Sequence, residues 1–218
     1  MNKKVFIFDL DGVIVDTAKY HYQAWKKLAN DLGFDFTETQ NELLKGVSRV
    51  RSLEILLEIG NVSLPGSEKA IIMQDKNEHY LQYITKMGQD EILEGMHEVL
   101  LYLKKNDISF SLGSASKNAR LILTQLDLID LFDAIVDGND VSKAKPDPEV
   151  FLIAAQKLNA NPSDCIVIED AIAGVEAANV AGMTSIGIGD KEALNAADIN
   201  LNSTAELTID MIKELIKN

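Results

Sequence analysis

Val5-Phe6-Ile7-Phe8 is an unbroken apolar run that stops at Asp9, with Gly12 shortly after it. A run with no polar alternation marks a strand covered on both faces. Ile108–Leu112, Ala134–Val136 and Cys165–Ile168 read the same way, and Thr184–Ile188 does so more weakly. Helix-period stripes fill the intervals at Met96–Lys105, Asn118–Leu126, Glu149–Leu158 and Ala171–Ala181, and Thr204–Ile216 supplies a last one. Strand and helix in alternation predict an α/β fold, an open Rossmann-like parallel sheet with right-handed crossovers. Between about Val15 and Lys86 the alternation breaks: Ala18, Tyr22, Trp25, Ala29 and Leu32 keep a helical period, and no strand-like run intervenes. We read residues 15–86 as a four-helix cap inserted after the first strand, and residues 1–14 with 87–218 as the α/β core.

Composition narrows the class. Of 218 residues, 46% are hydrophobic and 25% charged, with four prolines and thirteen glycines, an ordinary globular balance that excludes collagen-like and wholly disordered chains. The net charge of −13 opposes a phosphate-backbone surface, so nucleic acid is not expected as a partner. A phosphorylated ligand must then be held by local cations or a metal, against the overall field. Asp9 cuts the first apolar run too short for a signal peptide, and no stretch reaches the ~18 apolar residues of a membrane span. The single cysteine, Cys165, allows no internal disulfide. A monomer in the cytoplasm, with no membrane partner, is the expectation.

Ligands of open α/β sheets bind beyond the carboxyl ends of the strands. Four loops there carry chemistry: Asp9-Leu10-Asp11-Gly12, Gly113-Ser114-Ala115-Ser116, Lys143-Ala144-Lys145-Pro146-Asp147-Pro148 and Glu169-Asp170. Asp9 and Asp11 are two apart, so in extended backbone they point to one side and repel unless neutralised. With Glu169 and Asp170 they form an oxygen-only donor set that favours Mg²⁺. An isolated Asp-x-Asp more often just caps a turn; four such loops together reverse that balance. Ser114 offers a hydroxyl where backbone N–H groups favour an anion, although Ser116 is equally the natural N-cap of the next helix. Asp147 as N-cap and Pro148 as first helical residue fix the backbone beside Lys145, which can serve as a point charge for phosphate. No G-x-x-x-x-G-K-[ST] segment occurs, Gly187-Ile188-Gly189 lacks a dinucleotide fingerprint, and His21, His79 and His97 form no zinc pattern. His79 and His97 are placed on helix surfaces.

Asp9-Leu10-Asp11-Gly12-Val13, Ser114, Lys145-Pro146 and Glu169-Asp170 resemble, in order and spacing, the four motifs of the haloacid dehalogenase superfamily of phosphotransferases. The inserted helices resemble its C1 cap. Asp16-Thr17, His21, Trp25, Leu44-Lys45-Gly46-Val47-Ser48-Arg49, Lys76 and Ser114-Ala115-Ser116-Lys117-Asn118 are similar to the sugar-phosphate mutases of that superfamily, over essentially the whole chain. Ala144 departs from the pattern, standing where a serine is common before the lysine.

The resemblance implies a phosphoryl relay between C1 and C6 of glucose through bound β-glucose 1,6-bisphosphate, with Mg²⁺ as cofactor and sugar phosphates as small-molecule partners. It implies Asp9 as nucleophile and Asp11 as general acid and base. The metal would be held by the Asp9 side chain, the Asp11 carbonyl and Asp170, with Glu169 ligating or supporting. Ser114 and Lys145 would hold the transferring group. Arg49 would bind a second phosphate from the cap side, with Ser116, Lys117 and Asn118 on the core side, while His21 and Lys76 would couple substrate binding to the placement of Asp11. Thr17, Trp25, Leu44, Gly46, Val47, Ser48 and Ala115 complete the binding set. Two other readings stay open: a phosphatase of small sugar phosphates, or a mutase acting on another sugar phosphate. A non-catalytic phosphate sensor has no need of an acid/base group two residues from its nucleophile.

Overall fold

The computed structural model describes residues 4–44 and 47–217. Lys45 and Gly46, the latter among the expected binding residues, lie outside them. The chain begins with β1 (Val5–Phe8), whose four side chains are all buried. Then come α1 (Ala18–Asp31), α2 (Glu38–Asn41), α3 (Arg49–Gly60) and α4 (Gly66–Ile84). The remaining elements are α5 (Met96–Lys105), β2 (Phe110–Gly113), α6 (Ala119–Gln125), β3 (Ala134–Val136), α7 (Glu149–Lys157), β4 (Cys165–Glu169), α8 (Ile172–Val180), β5 (Thr184–Ile188), β6 (Ile199–Leu201) and α9 (Ile209–Lys217).

All strands pair in parallel, in the order β3-β2-β1-β4-β5-β6. The pleat divides β1 between two cores. Phe6 and Phe8 pack with Val99, Leu103, Ile122 and Ile212 of α5, α6 and α9. Val5 and Ile7 face Val150, Phe151, Ala154 and Ala177 of α7 and α8. This burial on both faces is what the unbroken apolar run encodes.

Helices α1–α4 carry an apolar cluster of their own, built on Trp25, Leu28, Phe36, Leu53 and Leu56. Ala24, Tyr80 and Ile84 of α1 and α4 instead join the core under the sheet. The two segments that connect these helices to the sheet run side by side, with Leu93 N donating to Ile14 O at 3.0 Å and Val15 bridging Ile92.

Three details differ from the sequence expectation. A sixth strand, β6, was not foreseen. The second strand begins and ends later than Ile108–Leu112, because Ile108 still closes the preceding helix, donating to Leu103 O at 3.0 Å. The segment 204–216 divides into a short 3₁₀ turn (Thr204–Glu206) and α9, since Thr208 O and Thr208 Oγ1 accept from Ile212 N and Met211 N and start the helix afresh.

Candidate active site

Asp9 follows β1 directly, and the strand registers set its neighbours. Phe8 is level with Leu112 on one side and Ile168 on the other, so Asp9, Gly113 and Glu169 stand at the same height on three adjacent strands. The order of strands reverses between β1 and β4, which makes this end the topological switch point of the sheet. Gly12, at φ +79°, turns the chain under Asp170: a Cβ there would lie 2.1 Å from Asp170 Oδ2.

Lys145 reaches this point from the segment between β3 and α7 and is 4% exposed. Its Nζ donates to Asp9 Oδ1 at 2.6 Å and to Glu169 Oε1 at 3.1 Å, and it lies 4.7 Å from the Phe151 ring centroid. The two carboxylates hold the ammonium pKa up, overriding the opposing effect of burial, which is the largest single influence on it. Asp9 Oδ2 accepts from Asp11 N at 3.0 Å, and Glu169 Oε2 from Asp170 N at 3.1 Å. Burial, and then Asp9, pushes the Glu169 carboxyl well above the usual range.

The Asp11 carboxyl is likewise raised well above the usual range, first by burial, then by the charges of Asp9 and Asp170. Its Oδ1 is buried with no hydrogen-bond partner. Carboxylate oxygens of Asp9, Glu169 and Asp170 come within 4.8 Å of one another. One lysine set against this many acidic groups leaves negative charge in excess. An all-oxygen set so converged fits a hard divalent cation.

Ser114 follows β2 and is buried, its Oγ accepting from Ser116 N at 3.1 Å. Ser116 does not cap the next helix: α6 starts at Ala119, and Ser116 Oγ accepts from Asn118 N at 3.3 Å in the turn before it. Gly138 presses on the same turn, since a Cβ there would meet Ala115 O at 2.3 Å. Pro148 rather than Asp147 holds the N-cap position of α7, although Asp147 Oδ1 still accepts from Glu149 N at 3.0 Å.

The helical side contributes a second constellation. Lys76 of α4 is 3% exposed, with Nζ 2.9 Å from His21 Nδ1 of α1 and 4.4 Å from the Trp25 ring centroid. Burial and then Arg49 lower the Lys76 pKa to about 7. Burial, Lys76 and Arg49 likewise hold His21 well below its ordinary value, so its Nδ1 can accept from Lys76. Arg49 opens α3 behind its N-cap Ser48, whose side chain accepts from Arg51 N. Arg49 Nη2 donates to Asn77 Oδ1 at 2.7 Å.

One cleft of about 640 Å³ takes in both constellations. Its walls include Asp9, Asp11, Lys145 and Asp170, the run Ser114–Asn118, and His21, Trp25, Leu44, Val47, Ser48, Arg49 and Lys76. Thr17, also expected at the site, is buried outside this lining. Glu169 is 1% exposed and sits behind Lys145. His79 and His97 are half-buried on α4 and α5, outside the cleft lining. Asn77 and Ser52 line the cleft although no motif pointed to them. Their uncharged side chains carry no sequence signal; Ser52, one turn after Arg49 on α3, has only its helical phase to point to it, and Asn77, next to Lys76, lacks even that.

A family model for haloacid dehalogenase-like hydrolases matches residues 3–182. The chain is 43% identical to a β-phosphoglucomutase of Bacillus subtilis over 213 residues, 97% of this chain and 94% of that protein. It is 30% identical to a phosphorylated carbohydrates phosphatase of Thermotoga maritima, across 96% of this chain and 98% of the relative. A crystal structure of β-phosphoglucomutase from Clostridium difficile superposes with a TM-score of 0.94 at 45% identity, covering 99% of this chain and 97% of the other.

Proposed function

The chain belongs to the haloacid dehalogenase-like hydrolase family, and on that premise we propose that it interconverts β-D-glucose 1-phosphate and glucose 6-phosphate, with β-glucose 1,6-bisphosphate as the bound intermediate. One observation carries the choice of a two-phosphate intermediate. A single cleft is lined at once by the Asp9–Lys145 pair and by Arg49, Ser116, Lys117 and Asn118. A phosphatase acting on monophosphates needs the first set and has little use for the second.

In this reading Asp9 attacks phosphorus, the bond to the sugar oxygen breaks, and that oxygen takes the proton of Asp11. In the return step Asp11 accepts the proton of the other sugar hydroxyl, which attacks the phosphoryl group on Asp9 and frees the carboxylate. The raised Asp11 pKa, caused first by burial, suits a group that must begin as an acid. Lys145 and Ser114 hold the oxygens of the transferring group, where charge is stabilised through the transition state. Asp9, Asp170 and the Asp11 carbonyl are assigned to Mg²⁺, supported by Glu169. Bound there, the cation supplies charge neutralisation that lets one anion approach another.

Arg49 binds the phosphate that does not react, and that remote binding energy favours closure of residues 15–86 over the core. Closure excludes water and leaves the sugar hydroxyl as acceptor. His21 and Lys76 link the sugar to Asp11 from the helical side, with Thr17 behind them. Trp25, Leu44, Val47 and Ser48 shape the wall, and Ala115 supplies backbone.

The test is partition of product. Protein supplied with Mg²⁺, β-glucose 1-phosphate and a trace of the bisphosphate should form glucose 6-phosphate far faster than inorganic phosphate. Phosphate release equal to substrate loss, with no glucose 6-phosphate, overturns the mutase in favour of a sugar phosphatase.

A further inference from the structure

Asn77 stands one residue beyond Lys76 on α4, half-buried and facing the cleft. Its Oδ1 accepts two hydrogen bonds: from Arg49 Nη2 at 2.7 Å and from Asn118 Nδ2 at 3.1 Å. The first donor belongs to α3 in the helical insertion, and the second sits at the start of α6 on the sheet side. One neutral oxygen therefore joins the two halves of the molecule at the mouth of the site. Among the described residues no carboxylate forms an ion pair with Arg49. Its guanidinium is partly desolvated and satisfied here by an amide.

A guanidinium and an amide N–H₂ converging on one oxygen are also the kinds of donor that a phosphate oxygen accepts from. We propose that Asn77 is a positioning residue for the remote phosphate: it holds Arg49 and Asn118 aimed at one point across the cleft in the absence of ligand and yields them to the substrate's non-reacting phosphate. This rests on the two-phosphate reading of the cleft.

A neutral acceptor is suited to this role and a charged one is not. An aspartate at position 77 would keep an oxygen in place but grip Arg49 through a charge-assisted bond and repel the incoming phosphate. An alanine would release both donors, so that substrate must order two free side chains on binding.

The experiment measures kcat and KM for β-glucose 1,6-bisphosphate-primed turnover of β-glucose 1-phosphate, with acetyl phosphate hydrolysis and thermal melting alongside, in wild type, Asn77→Ala and Asn77→Asp. Asn77→Ala should raise the sugar-phosphate KM roughly tenfold, the size expected when two rotamer-rich side chains must be ordered on binding, with a much smaller change in kcat. Asn77→Asp should raise KM further still while melting at or above the wild-type temperature. In both variants the loss with the sugar phosphate should exceed the loss with acetyl phosphate, which brings no second phosphate. KM values within twofold of wild type, or equal losses on the two substrates, overturn the proposal. So does an aspartate variant no worse than the alanine one. Absence of glucose 6-phosphate from wild type would instead refute the mutase reading, which keeps the two failures distinct.

Discussion

Replacing Lys145 with methionine isolates the charge at the centre of the site. Methionine keeps an apolar side chain of similar length but gives up the Nζ contact with the Phe151 ring face, and Nζ is removed from its contacts at 2.6 Å to Asp9 and 3.1 Å to Glu169. At an effective dielectric of about 20, those distances correspond to gross attractions of roughly 6 and 5 kcal/mol. The net loss is smaller, because each carboxylate keeps a backbone N–H donor, from Asp11 and Asp170, and because desolvation of the ammonium is recovered. Breaking a buried pair by deleting one partner typically costs about 3–5 kcal/mol. For a chain of this size that lowers the melting temperature by roughly 6–20 °C.

The loss should depend on pH. Without the lysine, whose charge lowers both, the Glu169 and Asp11 carboxyls titrate still higher in the folded state than in the unfolded chain, so folding takes up protons. Stability is then greatest at low pH and falls as pH rises above the ordinary carboxylate range. The deficit of Lys145→Met relative to wild type in EDTA should therefore be smaller at pH 5 than at pH 8. Mg²⁺ should raise the melting temperature of the variant more than that of wild type, because it replaces a missing positive charge. Calorimetric melts with EDTA and with Mg²⁺ at both pH values decide the matter. A deficit within 2 °C in EDTA at pH 8, or one larger at pH 5, would refute the charge balance described for the site.

Asp11→Asn should lower kcat for sugar-phosphate turnover by the ~10²–10⁴-fold typical of lost acid/base catalysis, while Mg²⁺ affinity, read by calorimetry, changes much less. Arg49→Ala should weaken turnover through the bisphosphate far more than acetyl phosphate hydrolysis, and equal losses would mark Arg49 as purely structural. Gly12→Ala, whose Cβ would lie 2.1 Å from Asp170 Oδ2 at φ +79°, should displace Asp170 and weaken Mg²⁺ binding at least tenfold in titration calorimetry.

Much of this architecture was legible because burial on both faces leaves an uninterrupted apolar run, as in Val5–Phe8 and Cys165–Ile168. Strand β6 was not, since Ile199, Asn200 and Leu201 are only half-buried at the sheet edge and too few to show a period. The loops at the cleft could be read because Asp9, Lys145 and Glu169 each end an apolar run or precede a proline, which fixes where they stand. Asn77 could not: its importance lies in one oxygen between Arg49 and Asn118, a coincidence of two helices and a loop that sequence spacing does not encode. The sequence placed α6 within a residue of its observed ends but not the role of Ser116, which caps no helix because the Ser114 and Ser116 hydroxyls take up backbone N–H groups in consecutive turns before Ala119.

The central claim is that the phosphoryl group passes through Asp9 from one sugar oxygen to another. Radiolabelled β-glucose 1,6-bisphosphate, mixed with Mg²⁺, excess unlabelled β-glucose 1-phosphate and the protein, then quenched in acid during turnover, tests it most directly. The label should be found on the peptide containing Asp9, be released by hydroxylamine as an acyl phosphate, and spread into the glucose 6-phosphate pool, with none of this in Asp9→Asn. Label that reaches only inorganic phosphate, or that enters the sugar pool equally well in Asp9→Asn, would contradict the account.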